Sequence, residues 1–303
     1  MLLWPVITGV EAAPKVETSI RPLHALVSGV MAGVGEPGVL VRGAASLHTY
    51  SLRPSEARRI AEAEVIFWVG EELELFLRKP LRHAVRARVV ALGEVEGLNR
   101  LTYRQGQEWE EGEAAEEHDG EGDDHHHHHD GYDGHIWLDP ENGKILVATM
   151  GKILSEIDPE NAARYGENVT RMHARLDALR EELQARLAPV RERPFVVFHD
   201  AYHYFEKRFG LKAVGRVALD PERKPGAKHL KALRERLEGA GAVCLFAEPQ
   251  FEPRMVETLI RGTRVAKGIL DPEGVTEQAE GEEGYFRLMR NLASGLVECL
   301  ERK

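Results

Sequence analysis

Apolar residues follow two regimes along this chain. Short continuous apolar runs alternate with stretches in which apolar positions return every three or four residues, the pattern of strands alternating with amphipathic helices. "KVETSI" is followed by "PLHALVSGVMAGVG", "GVLVRG" by "PSEARRIAEAE", and "VIFWVG" by "ELELFLRKPL", with "RVVAL" closing the series. The runs are continuous and β-branched, as expected for parallel strands covered on both faces. A second series follows: "FVVFHD" with "AYHYFEKRFG", "KAVGRV" with "GAKHLKALRERLEG", "AVCLFAEP" with "PRMVETLIRG", and "RVAKGIL" with "GYFRLMRNLASGLVECLERK". No internal sequence repeat relates the two series.

Between them lie two helical patterns. "PENGKILVATMGKILSEI" carries Ile145, Leu146, Met150, Ile153 and Leu154 on one face. In the second, Asp158 stands at the N-cap position and Pro159 at N1, the favoured start. Tyr165, Val169, Met172, Leu176, Leu179, Leu183 and Leu187 then step by four and three until Pro189. That span predicts a helix of about 29 residues, roughly 43 Å at 1.5 Å per residue. It is long for one small domain and suits a strut between two. The predicted class is α/β: two doubly wound (βα)4-type lobes joined by one long rigid α-helix. The expected boundaries are 15–157 for the first lobe, 158–188 for the linking helix and 189–303 for the second lobe.

A chain of 303 residues that is 43% hydrophobic and 30% charged has the make-up of an ordinary globular protein. Its formal net charge of −10 is a local property. Twelve of the 50 Asp and Glu fall between Gln105 and Gly134, where there is no Lys or Arg, so the rest is close to neutral. Nothing forms a basic stripe for nucleic acid. This 105–134 insertion is acidic, histidine-bearing and poor in apolar residues, a composition expected to be disordered without a ligand. No apolar run approaches the roughly 20 residues that cross a bilayer. Residues 1–14 read either as a signal-peptide remnant, although a basic n-region is missing, or as a native strand. Cys244 and Cys299 are the only cysteines, and two readings stand: inert buried thiols, or one disulfide in an oxidising compartment.

The 14 histidines carry the candidate chemistry. His118 and His125, His126, His127, His128 and His129 lie in the acidic insertion, where carboxylates attract cations. Three others sit beside predicted strand ends or helix starts, where α/β folds bind ligands. His48 is in the polar loop "AASLHTYSLRPSEARRI". His135 is in "DGHIWLDPENG", with Trp137 and Leu138 beside it to exclude water. His199 ends the apolar run "FVVFHD", where a buried imidazole requires a partner. "HDAYH" also sets His199 and His203 four residues apart, the ligand spacing of zinc peptidases. Asp200 there would replace the catalytic glutamate, one methylene shorter, and "FVVF" ends directly at His199. A zinc-dependent hydrolase is therefore the minor reading. His24, His83, His173 and His229 fall in helical patterns among charges and read as surface residues.

Taken in order, these segments resemble the periplasmic zinc-binding proteins of ABC-type zinc importers, the ZnuA group of the cluster A-I solute-binding proteins. The resemblance rests on "RPLHALVSGVMAGVGEP", "SLHTYSLRPSEARRIAEAEVIFWVGEELE", the His-rich acidic insertion, "HIWLDP", "FHDAYHYFEKRFG", "AEPQF" and "GILDPEG". It implies two lobes on one backbone helix, with Zn²⁺ as the transported ligand in the cleft between them. It places metal ligands at His48, His135 and His199, with Asp271 or a water as fourth ligand. A glutamate that precedes the first ligand in some members is Leu47 here. It further implies a Cys244–Cys299 disulfide, a periplasmic location, a monomer, and an ABC permease membrane subunit as partner. A periplasmic zinc metallochaperone is a further partner candidate. A manganese or iron carrier of the same cluster is the alternative, but three imidazoles suit zinc better than manganese, which favours carboxylate oxygen. A metal-holding adhesin is a third reading. Imidazoles near pKa 6.5 must be deprotonated to bind, so zinc affinity is expected to fall steeply below about pH 6.

Overall fold

The structure, a computed structural model, describes residues 13–42, 47, 50–104, 131–217, 227–251, 253–276 and 281–302. Residues 1–12, and with them nearly all of the amino-terminal segment, lie outside that description, as do His48, His118 and His125 to His129.

Each apolar series folds into a four-stranded, wholly parallel sheet. In the first, β1 (Val16–Thr18), β2 (Gly38–Val39), β3 (Val65–Trp68) and β4 (Arg88–Ala91) are ordered β2-β1-β3-β4. Helices α1 (Arg21–Val30), α2 (Pro54–Glu62) and α3 (Arg78–Arg82) connect them. The "ELELFLRKPL" pattern yields only a 3₁₀ turn, Leu75–Leu77, and the short α3. Pro80 falls inside this stretch, and its missing N–H keeps a longer helix from forming.

Next come α4 (Pro140–Ile157) and α5 (Ala162–Leu187). Asp139 caps α4 by accepting from the Glu141 N–H at 2.9 Å, with Pro140 at N1. The expected N-terminal turn of the long helix forms as a 3₁₀ turn, Pro159–Asn161, so α5 proper has 26 residues. Its length is roughly 39 Å at 1.5 Å per residue. The predicted stripe is buried except Val169, which is half-buried, and Asn168 joins it. Asn168 Nδ2 donates to the carbonyls of Val30 and Ala32, each at 2.9 Å, and so satisfies the end of α1. Helices α1 and α5 approach so closely at Gly29 that a Cβ there would clash with Met172 Sδ.

In the second sheet, β5 (Phe195–Val197), β6 (Ala213–Arg216), β7 (Cys244–Ala247) and β8 (Ala266–Ile269) are ordered β6-β5-β7-β8, the same plan as the first. Helices α6 (His203–Phe209), α7 (Ala227–Gly239), α8 (Pro253–Ile260) and α9 (Glu283–Leu300) follow its strands. Gly210 ends α6 in the left-handed conformation at φ +66°, a stop that only glycine adopts without strain.

The long helix does more than connect. It packs along α4, α1 and α9, and one apolar core runs continuously from Val16 in β1 through Leu176 and Leu183 to Leu300 in α9. Helix α9 belongs to the second lobe by sequence, yet it lies against α1 of the first. Two smaller cores cover the outer faces of the sheets, one around Leu245 and Val256, the other around Ile66 and Leu77. Cys244 at the start of β7 and Cys299 in α9 form a disulfide, both cysteines being buried.

That bond closes a loop of 55 residues. The chain-entropy argument gives it about 4 kcal/mol of stability. Cys244→Ala/Cys299→Ala is accordingly expected to lower the unfolding free energy by roughly that amount in urea titrations. The oxidised protein should lose it on reduction, and equal midpoints with and without reductant would contradict this.

Candidate metal centre

In a sheet ordered β6-β5-β7-β8 the chain leaves β5 toward one edge and β7 toward the other, so a crevice opens beyond their carboxyl ends. His199 lies just past β5, and Glu248 follows the last residue of β7. Both are buried, and His199 Nδ1 meets Glu248 Oε1 at 2.6 Å.

The second imidazole arrives from a different part of the chain. His135 stands at the head of a 3₁₀ turn, Ile136–Leu138, that leads into α4. Asp133 Oδ1 accepts from the His135 backbone N–H at 3.0 Å and meets its Nδ1 at 2.7 Å. Asp133 is 2% exposed and His135 5% exposed, so this pair too lies away from bulk water. The rings of His135 and His199 are 5.4 Å apart, centroid to centroid, in an edge-to-face arrangement. Trp137 and Phe251 flank them, with ring centroids 5.4 Å from His135 and 5.6 Å from His199 respectively.

Each imidazole therefore presents Nδ1 to its own carboxylate, which sets Nε2 as the ring nitrogen for a metal. Burial lowers the pKa of His135, but Asp133 beside it, helped by Glu248 and Asp200, outweighs burial and leaves it raised above 6.5. Burial, and then the neighbouring His135, depress His199 to about 3. Burial raises Glu248 well above the ordinary carboxylate range. Burial thus favours the uncharged form of His199, whereas the acids around His135 favour its protonated form.

Two imidazoles held this way fit a cation that favours nitrogen donors. Among the described residues, no third His, Cys, Asp or Glu joins them to make a set of three. Asp271, expected as the fourth ligand, lies just beyond β8, but its own loop occupies the carboxylate. Oδ1 accepts from Val275 N at 3.1 Å, and Oδ2 from Thr276 N at 2.8 Å and Thr276 Oγ1 at 2.7 Å. It still contributes to the raised pKa of Glu248, so its charge is felt at the site. His48 lies outside the described residues; two positions further on, Tyr50 donates to Glu56 Oε1 at 2.7 Å.

The hydrolase constellation is not assembled. His203 opens α6 whereas His199 lies in the preceding loop, so the two imidazoles do not share a helix face. Asp200, the would-be general base, is bound by Arg104, with Nε at 3.0 and 3.1 Å, and by Arg216 at 3.4 Å. Arg104 also pairs with the buried Glu206 at 2.6 Å.

Asp133 and Glu248 are the functional residues that the sequence reading passed over. The signal for each was present: an acid two positions before His135 in "YDGH", and an acid ending the apolar run "VCLFAEP".

The family profile described as "Zinc-uptake complex component A periplasmic" matches residues 16–299. This chain belongs to that family. The high-affinity zinc uptake system protein ZnuA of Brucella suis is 48% identical over 312 residues, covering 95% of this chain and 92% of the relative. The protein of the same name from Yersinia pestis is 37% identical over 294 residues, covering 96% and 92%. Among solved structures, a ZnuA crystal structure superposes with a TM-score of 0.75 at 23% identity, covering 94% of this chain and 99% of the other. The periplasmic zinc-binding protein TroA of Treponema pallidum gives 0.78 at 20% identity, covering 95% and 99%. The laminin-binding adhesin Lmb of Streptococcus agalactiae gives 0.75 at 22%, covering 95% and 100%. These structures share the fold of this family member: two parallel sheets and a long helix.

The two imidazoles make a pH prediction with a definite sign. A proton on His135 competes with a metal, so affinity is full above its raised pKa and lost below it. His199, depressed to about 3, stays neutral throughout that range. Zinc affinity should begin to fall already above pH 6.5, higher than ordinary imidazoles would give, and this early fall should disappear in Asp133→Asn. Chelator-competition titrations from pH 5 to 8 would show it, and a flat profile would contradict it.

Proposed function

We propose that this chain is a carrier that captures Zn²⁺ in the periplasm and delivers it to the membrane permease of an ABC-type importer. What supports the reading most is the pair of buried imidazoles, each with Nδ1 on its own carboxylate, at the junction of two lobes. The family supports it as well, because relatives named as high-affinity zinc uptake proteins are alike over nearly the whole chain. A cargo site differs from a structural zinc site in having to open, and a cleft between lobes meets that need. No described helix is long and apolar enough to cross a membrane.

In this reading His48 joins His135 and His199 as the third ligand, and Asp271 or water completes the shell. Asp271 would have to exchange its bonds to Val275 and Thr276 to do so. His118 and His125 to His129 form a low-specificity collector in the 105–134 insertion, on which a metallochaperone would act. The lobes run over 15–157 and 189–303 about the linking helix at 158–188, and the carrier works as a monomer. It is not an enzyme in this account, because Asp200 is committed to Arg104 and Arg216. Imidazole donors favour zinc over manganese, which prefers carboxylate oxygen, in the sister-carrier alternative.

The test compares point variants with a deletion. His48→Ala, His135→Ala and His199→Ala should each weaken high-affinity zinc binding beyond the roughly 10–100-fold that loss of an outer partner costs. Replacing residues 105–130 with a short linker should remove weak sites and keep the tight one. Loss of tight binding in the deletion, with the point variants unaffected, would place the cargo site in the insertion instead.

A further inference from the structure

His135 precedes α4 in the chain, yet the segment that carries it is bonded mainly to the second lobe. Arg208 of α6 donates to both oxygens of Asp139, each at 2.7 Å. Tyr285 of α9 donates to the Trp137 carbonyl at 2.8 Å, and Trp137 Nε1 donates to the Pro272 carbonyl at 2.9 Å. The link nearest His135 is made by Tyr204 of α6, whose hydroxyl donates to the Asp133 carbonyl at 2.8 Å and accepts from Leu101 N at 3.1 Å. Asp133 N in turn donates to the Leu101 carbonyl at 2.7 Å. One buried hydroxyl thus closes a ring of bonds around Asp133, the residue that fixes His135.

The same hydroxyl stands where the 105–130 stretch begins and ends. Thr102 and Tyr132 form an antiparallel bridge, so Leu101–Arg104 and Gly131–Asp133 make a short stem. Tyr204 grips both strands of that stem. From the same side of the fold, Asp200 and Glu206 hold Arg104, the last described residue before the insertion. Tyr204 lies five positions after His199, at the start of the helix that follows it. A single helix start therefore fixes the placement of both imidazoles, His199 through the chain and His135 through Tyr204 and Asp133.

We infer that Tyr204 is a positioning residue for the metal centre: its hydroxyl holds the Asp133 peptide so that His135 faces His199 at the spacing a shared cation needs. The inference rests on the zinc-carrier reading and adds a residue that touches no metal.

Tyr204→Phe removes the hydroxyl and keeps the ring and its packing. Zinc affinity should fall about 10-fold, the lower end of the cost for an outer partner, and the loss should appear in the dissociation rate. The apo protein should keep its far-UV spectrum and melt within a few degrees of wild type. The visible spectrum of the Co²⁺-loaded protein should change, which a purely structural loss would not cause. The deciding arm is a cycle with His135→Ala: in that background Tyr204→Phe should change zinc affinity less than about two-fold, because coupled residues are not additive. Unchanged affinity in Tyr204→Phe, or an equal loss in both backgrounds, would overturn the inference. A wild-type chain that binds no zinc would overturn the carrier reading itself.

Discussion

An imidazole buried at a lobe junction offers a lone pair to a cation only when its other ring nitrogen has a fixed partner. Without one, the ring rotates or takes a proton, and burial of the unpaired nitrogen costs free energy. His135 and His199 each have such a partner, Asp133 at 2.7 Å and Glu248 at 2.6 Å. Much of the surrounding architecture serves these two contacts. The switch point of the second sheet brings Glu248 beside His199, and the Tyr204 ring of bonds brings Asp133 beside His135.

The carboxylates are not equivalent. Asp133 leaves His135 with a raised pKa, while burial and the neighbouring His135 depress His199 to about 3 and burial raises Glu248. A binding site composed this way admits a cation at neutral pH with little rearrangement, since one ring is already neutral. The neighbouring charges have partners of their own: Asp200 has Arg104 and Arg216, and Asp271 is bonded within its loop. The two imidazoles supply nitrogen, the donor preference that separates zinc from harder cations.

The lobes and the long helix were legible in the sequence because hydrophobic periodicity carries them. The unbroken runs at Val65–Trp68 and Cys244–Ala247 had the pattern expected of buried parallel strands, and the stripe from Tyr165 to Leu187 that of a helix face. His135 and His199 were legible for a related reason, as polar residues bounding apolar segments. Their proximity followed only from the family resemblance, because they are 64 positions apart and meet through tertiary folding. The roles of Asp133, Glu248 and Tyr204 were hidden for the same reason. A carboxylate beside a strand end looks like any solvated acid until the strand next to it is known. Asp271 was legible as a cleft residue, but the capture of its oxygens by Val275 and Thr276 depends on a loop conformation that no pattern encodes. The continuous core shared by α1, α5 and α9 was not legible either, since it depends on a helix of one lobe packing on a helix of the other.

The central claim is that cargo zinc is held by imidazole nitrogen at the lobe junction. X-ray absorption at the zinc edge, on the chain lacking residues 105–130 and loaded with one equivalent of Zn²⁺, tests it most directly. The account predicts a first shell near 2.0–2.1 Å dominated by nitrogen, with the outer-shell scattering of at least two imidazole rings. A shell of oxygen without imidazole scattering, or no bound zinc once the insertion is gone, would contradict it.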